Sequence, residues 1–179
     1  MQLKDKVAVV TGGGRGLGRA YCEALAAEGA LVVAADIRDT ADTVATIEAA
    51  GGQAVGTHLD VAEMDSCQAM ADLALEKFGR IDVVVNNAAL FGDISGGRFD
   101  QIPEDQWDAV MQVNIKGVWQ CCKACVPALR QAGAVPSSIS RPWRRNTAWR
   151  SAWITPCRKR RGSALPAVWR ASWAGIGSV

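Results

Sequence analysis

A three-layer α/β/α fold on a doubly wound parallel sheet is predicted by three features of residues 1–133. Short unbroken apolar runs alternate with longer stretches of helical spacing. A glycine-rich turn joins the first apolar run to the first helical stretch. Each later run ends in a polar residue: Asp36, Asp60 and then Asn86-Asn87. Strands alternating with helices imply right-handed crossovers and therefore parallel pairing.

Lys6–Thr11 (KVAVVT) has the continuous apolar character of a strand buried on both faces. Gly12–Gly18 reads as a turn. Arg19–Glu28 follows with helical spacing, placing Ala20, Ala24, Leu25 and Ala27 toward one side and Gly29 as its stop. Leu31–Ala35 is a second strand, closed by Asp36, and Thr40–Ala50 a helix closed by Gly51-Gly52. Ala54–Leu59 is a third strand, closed by Asp60. Ala62–Phe78 is a long helix with Met64, Cys67, Met70, Ala71, Leu73 and Ala74 as its apolar positions. Ile81–Val85 is a fourth strand. Pro103–Leu129 reads as one further long helix, with Pro103 near its first turn.

The chain has 179 residues, a net charge of +2 and 49% hydrophobic residues, enough for one domain with a buried core. No apolar run reaches the roughly 20 residues of a membrane helix, and Lys4, Asp5 and Lys6 spoil a signal peptide. The expected location is therefore the cytoplasm, with no membrane partner. The charge divides unevenly. Residues 1–133 carry 11 Lys+Arg and 18 Asp+Glu, whereas residues 134–179 carry 9 Lys+Arg and no acid. That last segment also holds five of the seven Trp and four of the six Pro, and hydrophobic periodicity stops there. It reads as an aberrant basic tail without a native fold, leaving the sheet C-terminally incomplete.

Glycines between a strand and a helix permit a tight turn, let the backbone approach a pyrophosphate and allow close helix–strand packing. The helix then offers that phosphate its free N–H groups and the positive end of its dipole. Here the run is Thr11-Gly12-Gly13-Gly14-Arg15-Gly16-Leu17-Gly18, and Asp36 stands 18 residues beyond Gly18 at the end of the second strand. A carboxylate there accepts hydrogen bonds from an adenosine ribose and repels a 2′-phosphate. Together these features define a Rossmann-type dinucleotide site and favour NAD over NADP. Arg15 and Arg38 are cations close enough in sequence to hold a 2′-phosphate, which keeps NADP as the alternative.

The spacing Thr11-Gly12-x-x-x-Gly16-x-Gly18 resembles that of the short-chain dehydrogenase/reductase family. Asp60-Val61, Asn86-Asn87-Ala88 and Val113-Asn114-Ile115-Lys116-Gly117 match further motifs of that family, in its order, over roughly residues 3–132. Ala89 stands where the family usually has glycine. The resemblance implies cofactor contacts at Gly12, Arg15, Gly16, Leu17, Gly18, Asp36, Ile37, Asp60, Val61, Asn87 and Ala88. It implies Asp60 and Val61 beside the adenine, Asn87 and Ala88 along a ribose, and Asn86 bracing the central sheet. It gives Asn114 a catalytic role, holding a water in a proton relay. It further implies hydride transfer between nicotinamide and an alcohol or ketone, and assembly as a homodimer or homotetramer.

That reaction also moves a proton on the substrate oxygen, which needs an acid/base group tuned toward working pH. The family uses a Tyr, whose ordinary pKa of about 10 must be lowered by a nearby Lys, together with a Ser that holds the substrate oxygen. The only Tyr here is Tyr21, in the first helix, and residues 134–179 hold no Tyr-x-x-x-Lys. Ser137, Ser138 and Ser140 have no base beside them. The chain as written is therefore expected to be catalytically inactive.

A shifted reading frame near Gly133–Val135 accounts for this loss and for the odd composition together. Read from the third base of each codon, Trp153–Ile154 must encode Asp, Ile154–Thr155 permits Tyr, and Arg158–Lys159 permits Lys four codons on. Arg141–Pro142 permits Ser thirteen codons before that Tyr. The alternatives are a non-catalytic dinucleotide-binding fragment, or nucleic-acid binding through the basic, Trp-containing tail.

Cys121, Cys122 and Cys125 include one Cys-x-x-Cys, with Cys22, Cys67 and Cys157 elsewhere. A single pair is poor grounds for zinc, so no metal is expected and the thiols read as small apolar packing groups. His58 reads as structural, and Trp107 and Trp119 as packing residues.

Overall fold

The computed structural model describes residues 3–91 and 98–133. Strands β1 (Val7–Thr11), β2 (Leu31–Asp36), β3 (Gln53–His58) and β4 (Val83–Val85) form one parallel sheet in the order β3-β2-β1-β4. Val9 lies opposite both Val33 of β2 and Val84 of β4, so β1 sits at the centre. The helices are α1 (Gly16–Ala27), α2 (Ala41–Ala49), α3 (Met64–Phe78), α4 (Glu104–Met111) and α5 (Val118–Gln131). A 3-10 turn covers Phe99–Gln101, and Gln112–Gly117 is π-helical.

The alternation of strand side chains divides the core into two layers. Val7, Val9, Val33 and Ala35 pack with Cys67, Met70, Ala71 and Ala74 of α3 and Cys121, Ala124, Cys125 and Ala128 of α5. Ala8, Val10, Val32 and Ala34 face the other way, onto Cys22 and Ala26 of α1 and Ile47 of α2. Every residue of β1 is buried, as a strand covered on both faces requires. The result is the three-layer α/β/α arrangement, a Rossmann-like fold. Among the described residues β4 forms one edge of the sheet and β3 the other.

Three local expectations need correction. Helix α1 begins at Gly16 rather than Arg19, and it buries Gly18, Cys22 and Ala26, leaving Ala20 and Ala27 exposed. Alanine is too common around this helix for composition to tell its faces apart. The last helical stretch is not one regular helix, because six residues around Asn114 widen into π geometry between α4 and α5. Trp107 and Trp119 are not core residues; they are 55% and 56% exposed. They lie on the outward side of their helices, and the Lys123 ammonium stands over the Trp119 ring at 5.0 Å.

The ends of the strands opposite the glycine turn are tied by charge. Asp82, just before β4, accepts bonds from the Val7 amide at 3.0 Å, Lys6 Nζ at 3.0 Å and Arg80 Nε at 2.7 Å. Its side chain is 6% exposed. The segment 134–179, with the composition expected to preclude a native fold, lies outside the described residues, as does Cys157.

Candidate functional site

In a parallel sheet all carboxyl ends of the strands lie along one edge. Here the chain moves outward from β1 to β2 and β3, then returns to the other side of β1 for β4. The connections leaving β1 and β4 therefore diverge, opening the crevice at which such sheets bind ligands. All the expected cofactor contacts lie in the turn after β1 or the first residues of α1, at the end of β2, or just beyond β3 and β4.

The glycine turn is built by backbone bonds. The Gly13 amide donates to the Ala35 carbonyl at 3.1 Å, tying the turn to β2. Gly12 has φ +70° and Gly16 φ +54°, in the left-handed region that glycine adopts without strain. A Cβ on Gly18 would strike the Gly12 carbonyl oxygen, so helix and turn touch there as only glycine allows. A Cβ on Gly16 would meet nothing within 4 Å. Arg15 precedes α1 without any side-chain cap, and the first turn of α1 has no acidic residue. Helices α2, α3 and α4 all carry an acid there. Among the described residues, the amides and positive pole of α1 are thus left without a capping side chain or a first-turn acid.

Asp36 is buried, with one carboxylate oxygen bonded to the glycine turn and the other to its own loop. Oδ2 accepts the Gly14 amide at 2.9 Å and Oδ1 the Arg38 amide at 3.0 Å. An ionised carboxylate has about four acceptor positions, so two remain for other donors. Leu17 and Ile37 are 71% and 60% exposed, two large apolar side chains near the turn and the end of β2. Beside Ile37 lies a depression of about 510 Å³ lined by Arg38, Thr40, Thr57 and the exposed His58.

Beyond β3, Asp60 Oδ1 accepts the Ala62 amide at 2.8 Å, and the Asp60 amide donates to Ser66 Oγ at 3.0 Å. Val61 is buried, and its carbonyl accepts Gln120 Nε2 at 2.7 Å. Gly117 allows the π-helical stretch to press against this loop, since a Cβ there would lie 2.7 Å from Val61 Cγ2.

Beyond β4, the bracing role expected of Asn86 falls to its neighbour. Asn87 Nδ2 donates to the Thr11 carbonyl at 3.0 Å and the Gly12 carbonyl at 3.3 Å. Asn86 Nδ2 instead donates to Cys122 Sγ at 3.4 Å, and its buried Oδ1 has no partner among the described residues. Consecutive residues leaving a strand point to opposite sides, and Asn87 is the one on the turn side. The Ala88 amide donates to Thr11 Oγ1 at 3.0 Å.

Asn114 is joined to Leu90 in both directions. Its Oδ1 accepts the Leu90 amide at 2.8 Å and its Nδ2 donates to the Leu90 carbonyl at 3.1 Å. The side chain is thus committed to the segment that follows β4.

Two further contributors were not anticipated as site residues. Thr11 ends β1 and organises the loop after β4, and a hydroxyl closing an apolar run was a usable signal for it. Thr43 of α2, fully buried, donates to the Gly13 carbonyl at 2.9 Å. Nothing in its sequence context marks it.

Cys22, Cys67, Cys121 and Cys125 are buried, and Cys67 Sγ lies 3.6 Å from Cys121 Sγ. Burial pushes the Cys22 and Cys125 thiols up to about 12. No cluster of metal-ligating side chains occurs among the described residues. No described helix is long and apolar enough to cross a membrane.

A doubly wound sheet with an uncapped glycine turn at its switch point defines a Rossmann-type α/β protein. The chain belongs to the short chain dehydrogenase family, whose model matches residues 6–137. It is 42% identical over 132 residues to the short-chain reductase protein NovJ of Streptomyces niveus, covering 73% of this chain and 49% of NovJ. A short chain dehydrogenase/reductase from Burkholderia phymatum, solved in complex with NAD, superposes with a TM-score of 0.68 at 36% identity. That match covers 74% of this chain and 47% of the other. Carveol dehydrogenase from Mycobacterium avium, also solved with NAD, gives a TM-score of 0.70 at 28% identity, covering 74% and 52%. The chain spans about half the length of NovJ and of these two structures.

Proposed function

We propose that residues 1–133 are the N-terminal part of an NAD-binding domain from an oxidoreductase acting on an alcohol or ketone. The observation that carries this reading is the pairing of an uncapped α1 with Asp36. The first-turn amides of α1 take the diphosphate, across the open space at Gly16. The unused acceptor positions of Asp36 take hydroxyls of the adenosine ribose and disfavour a 2′-phosphate. Leu17 and Ile37, exposed without the cofactor, flank it. Asp60 and Val61 border the adenine, while Asn87 and Ala88 hold the chain alongside a ribose. Gly12, Gly18 and Arg15 shape the turn, with Arg15 able to approach a phosphate.

In an intact relative, bound NAD would supply the hydride acceptor or donor for the substrate carbon. The residues of this chain bind and orient; among the described residues none moves the substrate proton, and Tyr21 packs into the α1 layer. Asn114 holds its segment against Leu90, the place at which the family resemblance puts a water of the proton relay. With no Tyr-x-x-x-Lys, the chain binds the dinucleotide without turning it over. Residues 134–179 are the product of a shifted frame near codons 133–135.

Calorimetric titration of the purified chain tests the binding reading. NAD is expected to bind at least about tenfold more tightly than NADP, a difference of about 1.4 kcal/mol. A folded chain with no affinity for either overturns it. Sequencing the gene across codons 130–140 tests the frame; an intact frame with no open continuation beside it removes that explanation.

A further inference from the structure

The Gly13–Gly14 peptide is held at both ends. Thr43 Oγ1 donates to the Gly13 carbonyl at 2.9 Å, and the Gly14 amide donates to Asp36 Oδ2 at 2.9 Å. A carbonyl and the following N–H belong to one rigid plane, so they turn together. Between two glycines no side chain resists such a turn. The two bonds add to the close packing around both glycines a restraint on that plane's own rotation.

Thr43 is an unusual donor for this purpose. A Thr inside a helix commonly satisfies its hydroxyl on a carbonyl of its own preceding turn. Thr46, in the same helix, does so, donating to the Asp42 carbonyl at 2.8 Å. Thr43 is 0% exposed and reaches instead across 30 residues of sequence to the turn. Among the described residues its one other acceptor is also in the turn, the Gly14 carbonyl at 3.5 Å.

We propose that Thr43 is a positioning residue for the diphosphate-binding turn, its hydroxyl locking the Gly13–Gly14 peptide plane. This rests on the NAD reading above and deepens it. A concave group of backbone amides attracts an anion only while its carbonyls are turned away. With the Gly13 carbonyl engaged by Thr43, that oxygen is unable to swing toward a bound phosphate. Asp36 secures the other end of the same plane, so the lock joins the residue that reads the ribose to the turn that grips the diphosphate.

The test compares Thr43→Val, which keeps the shape and removes the donor, with Thr43→Ser, which keeps the donor. Thr43→Ala is a second hydroxyl-free variant that carries no risk of overpacking. Each full-length protein is titrated with NAD, ADP-ribose and adenosine, and exchange of the Gly14 amide is followed by NMR. Both hydroxyl-free variants are expected to bind NAD and ADP-ribose about tenfold more weakly, in line with one lost hydrogen bond, and adenosine unchanged. Thr43→Ser is expected to bind all three as the parent does. The Gly14 amide should exchange faster in Thr43→Val and Thr43→Ala alone. The proposal is overturned if adenosine is lost in proportion to NAD, because Thr43 is then only a packing residue. It is equally overturned if Thr43→Ser falls with the others, or if Gly14 exchange is the same in every variant. A parent chain that binds none of the three ligands defeats the NAD reading, while Gly14 exchange still decides the lock.

Discussion

Thr11 and Asn87, 76 residues apart, are laced together twice. The Asn87 amide donates to the Thr11 hydroxyl at 3.0 Å, and the Asn87 side chain donates to the Thr11 carbonyl at 3.0 Å. The same hydroxyl takes the Ala88 amide and donates to the Val85 carbonyl at 3.4 Å. One side chain at the end of β1 thereby fixes the path of the chain leaving β4, across the crevice of the sheet. Thr11→Val keeps the β-branched shape but strands two half-buried amides. It is expected to lower unfolding free energy by about 1–3 kcal/mol, the range for unsatisfied buried donors. Thr11→Ser should recover most of it. Urea unfolding of the three proteins reads the difference; a Thr11→Val midpoint equal to the parent's would show that the lacing is energetically idle.

The glycines of the turn are not equivalent. Gly18→Ala drives a methyl into the Gly12 carbonyl, and backbone on both sides leaves little room to relax. Gly16→Ala meets open space but must hold φ +54°. The strain of a left-handed alanine is about 1–2 kcal/mol. Overpacking typically reaches about 3 kcal/mol, more where backbone is the obstacle. Gly18→Ala is therefore expected to be the more damaging change, both to thermal stability and to NAD affinity. The reverse order would mean that the close approach of α1 to the turn is misjudged.

The Asp82 cluster sets an acid limit on the fold. Burial is the largest influence on this carboxyl and works against its charge. The Arg80 guanidinium, the Val7 amide and the Lys6 ammonium together outweigh burial and hold it below the ordinary carboxylate value. A depressed native pKa stabilises the fold above the unfolded value of about 4 and loses that contribution as pH falls through the native one. Asp82→Asn should lower stability at pH 7 by about 1–2 kcal/mol, since Arg80 and Lys6 are both partly open to water. It should also flatten the acid limb. Urea midpoints at pH 7, 4 and 3 that fall in parallel for parent and variant would remove Asp82 from the account.

The sheet, and the position of the candidate site residues along its carboxyl edge, were legible in the sequence because both rest on simple signals. Continuous Val/Ala runs are what a strand covered on both faces requires, and the polar residues ending them, Asp36 and Asp60, stand at the carboxyl edge. Three features lay beyond such signals. Asn86 and Asn87 are chemically identical, so only the parity of the chain leaving β4 decides which meets the turn. The π-helical stretch carries two long-range ties in its first half, from Asn114 to Leu90 and from Gln112 to the Ala62 carbonyl at 3.0 Å, and neither shows in the sequence pattern. A change of helical pitch over six residues leaves the apolar pattern almost unaltered. The reach of Thr43 to Gly13 depends on how α2 is rotated on the sheet, which an alanine-rich helix does not announce.

The pairing of Asn114 with Leu90 makes a prediction whose sign depends on pH. An amide side chain both accepts and donates, and here it does so to one backbone residue. Asn114→Asp keeps an acceptor for the Leu90 amide but, when ionised, turns a second oxygen toward the Leu90 carbonyl. The loss at pH 7 is expected to be about 2 kcal/mol, one missing bond plus an opposed acceptor pair. Protonation restores a donor, because a carboxylic acid presents one O–H and one acceptor, the pattern of the amide it replaces. The introduced carboxyl therefore has a raised native pKa. Its contribution is present below the unfolded value of about 4 and is lost as pH rises through the native value. Between pH 4 and pH 7 the gap between Asn114→Asp and the parent should widen, whereas Asn114→Ala, lacking both bonds, should show a gap that does not vary with pH. Thermal midpoints of the three proteins at pH 4, 5.5 and 7 decide the matter. A gap for Asn114→Asp that is constant across this range would mean that the second bond, from the Asn114 amide to the Leu90 carbonyl, does not hold in solution.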